Sequence, residues 1–138
     1  LTSLVFKPWK SIAVFFGGST NARKALQMGL KIAMVSKLPL DIYTLREKNS
    51  KTYYENIIKE SELDAPVSQF LRDWHYYEKS EFDTMLYDVP HDALMVLGAY
   101  GHGVIKDLLF GSKMEKIQST VTNNLLITGP QCELSLLQ

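Results

Sequence analysis

Gly98, Gly101 and Gly111, the last followed by Ser112 and Lys113, give the pattern Gly-x2-Gly-x9-Gly-Ser directly behind the apolar run "DALMVLG". Glycines at such offsets leave backbone N–H groups uncovered, and a backbone that can fold around a ligand has use for them. Ser112 begins "SKME", a Ser-x-x-Glu capping box with Glu115 as its reciprocal partner. A helix start of this kind also presents unpaired N–H groups and a positive dipole end, which suits an anion such as a phosphate. Lys113 would add a cation beside it, and His102 inside the loop could touch a phosphate or act as an acid or base near one. The plainer readings are that Ser112 only caps a helix and that His102 is a solvated loop residue. A second glycine pair, Gly17-Gly18, stands before Ser19 and Thr20 and behind the apolar run "SIAVFF".

Those loops need elements to hold them. "SIAVFF", residues 11–16, reads as a strand buried on both faces. From about Asn21 to Ser36, Ala22, Ala25, Leu26, Gly29, Leu30 and Ala33 recur at helical spacing, a stripe small enough for close packing on a sheet. Ser19 or Thr20 can cap that helix. "LDIYTL" (40–45) is a second strand, and residues 50–60 form a helix with Tyr53, Tyr54, Ile57 and Ile58 on one side. Pro66 must break or restart it. "WHYYE" (74–78) is a third strand, "EFDTMLYDV" a short helix and "ALMVLG" a fourth strand. A helix carrying Met114, Ile117 and Val121 follows Gly111, and "LLIT" is the last strand, ended by Gly129-Pro130.

Regular alternation of strand and helix predicts an α/β fold with a five-stranded parallel sheet and helices on both faces. The expected strand order is 3-2-1-4-5. The winding then reverses between the first and fourth strands, where open α/β sheets bind ligands beyond their carboxyl ends. Both glycine-bearing loops follow those two strands. Residues 11–130 form the domain, with 1–10 as a lead carrying Leu4, Val5, Phe6 and Trp9, and 131–138 as a tail.

In its glycine spacing, element order and the stretch from "DALMVLG" to "NNLLITGP", the sequence resembles the universal stress protein family. The resemblance implies a Rossmann-like, adenine-nucleotide-hydrolase-like fold that holds ATP, with Mg²⁺ alongside. It assigns ribose and phosphate contacts to Gly98, Gly101, Gly111 and Ser112, with His102 and Lys113 in the same loop. It sets Leu45 and Leu97 at strand ends that enclose the adenine, and Gly17 and Gly18 across the crevice. The family commonly ends its first strand in an aspartate that helps hold the nucleotide; here the aligned residue is Gly17. Met114 stands where binding members often carry a second small or hydroxyl residue. The expected function is a regulatory or sensory domain that binds ATP or a related adenine nucleotide. The rival is a dimerising interaction module of the same fold that binds no nucleotide. Family members often dimerise through the last strand, so a homodimer or a tandem-domain partner is expected; the start at Leu1 motivates the tandem form.

Composition narrows the alternatives. Fifteen basic residues balance fifteen acidic ones among 138, which argues against a nucleic-acid or membrane surface driven by bulk charge. No apolar run approaches the length of a membrane span. The lone Cys132 cannot form an internal disulfide, and a reducing, cytoplasmic setting is expected. His75, His91 and His102 lack metal-site spacing. His75 reads as structural and His91 as a surface turn residue, while Trp74, Tyr76 and Tyr77 read as sheet packing. No nucleophile–base pair or paired carboxylates with convincing spacing is present, so nothing beyond slow hydrolysis of bound ATP is expected of it as an enzyme.

Overall fold

The computed structural model describes residues 8–46, 48–98 and 123–128. Five parallel strands form one sheet: β1 (Ser11–Phe15), β2 (Leu40–Arg46), β3 (Leu71–Glu78), β4 (Ala93–Gly98) and β5 (Leu125–Thr128), in the order β3-β2-β1-β4-β5. The helices are α1 (Thr20–Ser36), α2 (Lys51–Glu60), α3 (Asp64–Phe70) and α4 (Phe82–Asp88), with one turn of 3₁₀ helix at Lys79–Glu81. Strand order and alternation are those expected from the sequence. None of the described helices is long and apolar enough to cross a membrane.

Side chains alternate across a strand, and here both faces are covered. Ile12, Val14, Phe16, Leu40, Ile42 and Val96 join α1, α2 and α3 in one core. Ala13, Phe15, Tyr43, Leu45, Met95 and Leu97 join Phe82, Met85 and Leu86 of α4 in the other. That is why β1 and β4 are apolar at nearly every position. Trp74 and Tyr76 pack at the edge of the first core, and Tyr77 is buried in the second. Trp9 also leans on the first core.

Local signals account for most boundaries. Ser19 caps α1, its hydroxyl accepting from the N–H of Ala22 at 3.1 Å. Pro66 is the third residue of α3, where its missing N–H would have had no helical acceptor; the proline restarts the chain as a new helix. Two differences concern β3 and α4. The third strand starts at Leu71, three residues before the expected Trp74, because Leu71 is already extended as the C-cap of α3 and no linker intervenes. The fourth helix is two residues shorter than "EFDTMLYDV" suggests.

An irregularity lies at the foot of β2 and β3. Leu40 pairs with Leu71 but Asp41 pairs with Asp73, so Arg72 is an extra residue in the ladder. Its guanidinium donates to both oxygens of the buried Asp41, Nε to Oδ1 at 3.1 Å and Nη2 to Oδ2 at 2.6 Å. A buried carboxylate needs such a partner, and the bulge supplies it.

Burial, with a contribution from the Asp41 carboxylate, pushes the Tyr43 hydroxyl up from 10.0 to about 12. Burial also raises Tyr77, whose hydroxyl donates to Asp88 Oδ2 at 2.7 Å. Both stay neutral in the fold at a pH where the unfolded chain ionises, so their contribution is complete below about pH 10 and declines as the pH climbs toward the folded value. Urea midpoints taken from about pH 9 to pH 11 should fall across that range, and Tyr43→Phe should flatten the fall.

Candidate nucleotide crevice

β1 lies between β2 and β4, so the chain's winding reverses at the carboxyl ends of β1 and β4. Gly17 and Gly18 leave β1 there. Gly18 has φ of 89°, a left-handed conformation that a glycine adopts without strain. A Cβ on it would also lie 2.8 Å from Ile57 Cδ1. This turn brings Ser19 to the start of α1 and points the first turn of the helix at the end of β4.

The contact that follows is backbone on backbone. A Cβ added to Gly98 would fall 2.5 Å from the carbonyl carbon and oxygen of Asn21 and 2.7 Å from the nitrogen of Ala22. Gly98 is therefore a glycine for a reason that the sequence pattern alone does not supply: α1 occupies the space of its side chain. Thr128, at the end of β5, is buried and its hydroxyl lies 3.3 Å from the carbonyl oxygens of both Asn21 and Leu97. One proton serves two acceptors, tying β5, β4 and α1 at a single point.

The other side of the crevice is fixed by Thr44. Its buried hydroxyl donates to the carbonyl oxygen of Phe16 at 2.8 Å and accepts from Trp74 Nε1 at 2.9 Å. The chain leaving β1 is held by that bond. Sequence reasoning missed both threonines as positioning residues, although a hydroxyl inside an apolar strand must find a partner.

Leu45 and Leu97 reach the carboxyl ends of β2 and β4 on the α4 face, at 4% and 1% exposure. They share one core with Phe15 between them. The structure thus brings Gly17, Gly18, Leu45, Leu97 and Gly98 to one end of the sheet. Gly101, His102, Gly111, Ser112 and Lys113 lie outside the described residues, as do the expected helix of Met114, Ile117 and Val121, and Cys132. His75 stacks on Tyr43 with ring centroids 4.7 Å apart, and His91 is an exposed turn residue, the latter as expected. A groove of about 320 Å³ between α1 and α3, lined by Leu30, Met34, Leu63 and Pro66 among others, faces the second half of α1 and is separate from this crevice.

No family model matches the sequence, and no curated protein matches it in sequence comparison. Solved structures do. A universal stress protein in complex with cAMP superimposes with a TM-score of 0.57 at 19% identity, over 89% of this chain and 98% of that one. The fold is that of the universal stress proteins. The universal stress protein UspA from Lactobacillus plantarum gives 0.57 at 16% identity, over 89% and 99% of the two chains. A member from Burkholderia pseudomallei gives 0.51 at 14%, over 86% and 95%. In this universal stress protein fold the crevice described above is the switch point of the sheet.

Replacing Gly98 with alanine sets a Cβ against backbone that cannot rotate away. Gly98→Ala should destabilise the domain by about 1–3 kcal/mol, the usual cost of overpacking, read as a lower urea midpoint with unchanged slope. Glycine's usual deficit in a strand would predict the opposite sign.

Proposed function

We propose that the domain binds an adenine nucleotide at the carboxyl ends of β1 and β4 and uses it as a regulatory ligand. The observation that carries this reading is the shared fold with a universal stress protein that holds cAMP, combined with a side-chain-poor crevice at the switch point. ATP, with Mg²⁺, is the form favoured by the glycine spacing. In this reading Leu45 and Leu97 flank the base, while Gly98, Gly101 and Gly111 offer backbone N–H groups to ribose and phosphates. Ser112 and Lys113 take the phosphates, with His102 beside them, and Gly17 and Gly18 let the ligand approach the end of β1. Gly17 supplies no carboxylate to the ligand, so binding rests on backbone contacts and on the phosphate end. A reducing, cytoplasmic setting fits a chain whose single cysteine is Cys132.

A second reading has its own support. Gly98 is explained by packing alone, and Ile127 on β5 is 40% exposed. An apolar side chain on an end strand suits a homodimer or a tandem partner joined through β5, with the crevice unused.

Mass spectrometry of small molecules released on denaturing the purified protein, followed by melting with millimolar ATP or cAMP and Mg²⁺, separates the two. A ligand at about 100 times its Kd adds about 2.7 kcal/mol, a rise of several degrees that Gly111→Val should abolish. No released nucleotide and no rise with either ligand would discard the nucleotide reading. A dimer in gel filtration that Ile127→Lys dissociates would then establish the interaction module.

A further inference from the structure

A different group of side chains converges at the amino-terminal half of β2 and β3, away from the crevice. Asp41, Asp73 and His75 each offer one donor atom, and these atoms all lie within 4.8 Å of one another. Asp73 and His75 alternate on one face of β3, and the bulge at Arg72 brings Asp73 opposite Asp41. Without that extra residue the two carboxylates would not be paired across the ladder.

We propose that Asp41, Asp73 and His75 bind a divalent transition-metal ion, with Zn²⁺ the best fit, leaving its remaining positions to water. Two carboxylates and an imidazole are a hard-to-borderline donor set of the kind Zn²⁺ accepts. Donors arranged tetrahedrally about zinc lie roughly 3.4 Å apart. The present donors lie within 4.8 Å of one another, so closing on a metal requires side-chain adjustment, and Asp73 is exposed.

The surroundings match what a metal ligand requires. Asp41 is held by Arg72 and by the N–H of Asp73, which donates to Oδ1 at 3.2 Å. Oδ1 is thereby filled, while Oδ2 accepts only from Arg72 and keeps a lone pair. Donors that hold a ligating carboxylate in place in this way are a regular part of metal sites. The His75 ring is set by its stack on Tyr43, at 19° between planes. Among the described residues Asp73 has neither a hydrogen bond nor an ion pair at its carboxylate, although it sits beside another carboxylate. Arg72 neutralises one of the two charges, and a cation bound between them would neutralise the second. The mixed donor set carries the inference: two carboxylates alone would only repel, but an oriented imidazole completes a three-point chelate.

The test titrates the full chain with ZnCl₂ by calorimetry and with Co²⁺ by visible absorption, without nucleotide. Wild type is compared with Asp73→Asn and His75→Gln, and with His91→Gln and Cys132→Ser as controls for other donors. One equivalent of Zn²⁺ should bind, with affinity at least tenfold lower in Asp73→Asn and in His75→Gln and unchanged in both controls. Circular dichroism without metal should be the same for Asp73→Asn as for wild type, so that lost binding is not lost folding. Absence of saturable binding, its survival in both site variants, or its loss in a control variant would overturn the assignment.

Discussion

The backbone of α1 meets the end of β4 with no room for a side chain between them. Dispersion falls off steeply with separation, so a helix that lies this close gains contact along its whole length. Gly29, further along α1, repeats the arrangement: a Cβ there would sit 2.6 Å from Val14 Cγ2. Ala22, Ala25 and Ala33 complete a buried stripe with almost no side-chain height. The geometry of the crevice follows from this approach. With α1 pressed onto β1 and β4, the turn at Gly18 must be tight, and Thr128 comes within reach of a carbonyl in the first turn of α1, that of Asn21.

The middle of the sheet and its β2–β3 flank are chemically distinct. At the carboxyl ends of β1 and β4 stand glycines and buried hydroxyls, with Gly98 covered by the backbone of α1. Along β2 and β3, charged side chains face one another across a bulged ladder, Asp41 with Arg72 toward the amino ends and Arg46 with Glu78 at the carboxyl ends.

Much of this was legible in the sequence, for definite reasons. Two-sided burial makes β1 and β4 apolar at consecutive positions, and the small stripe of α1 announced close packing. Gly98 was legible as special but not in its cause, since Asn21 is distant in the chain and only the fold brings its carbonyl to that spot. The start of β3 was hidden because Arg72 and Asp73 look like loop residues; they are strand residues whose charges belong to a bulge. Asp41 gave no signal of its own inside "LDIYTL". The cluster it forms with Asp73 and His75 depends on a one-residue shift in pairing, which no local pattern encodes. Residues 101–113 lie outside the described ones, and their reading rests on glycine spacing and the resemblance alone.

The position of β1 has a consequence for the growing chain. It is made first and ends in the centre of the sheet, with Ser11 beside Ala93 on one side and Ile12 beside Leu40 on the other. During synthesis β2 and β3 can dock soon after they leave the ribosome, building one flank from neighbouring segments. The other flank of β1 stays open until β4 arrives from the far end of the domain. Contacts between such distant segments are slow to form, and an unpaired apolar strand attracts other chains while it waits. The half-made domain is thus at its most adhesive just before β4 emerges, and the strand that closes the core also ends that exposure.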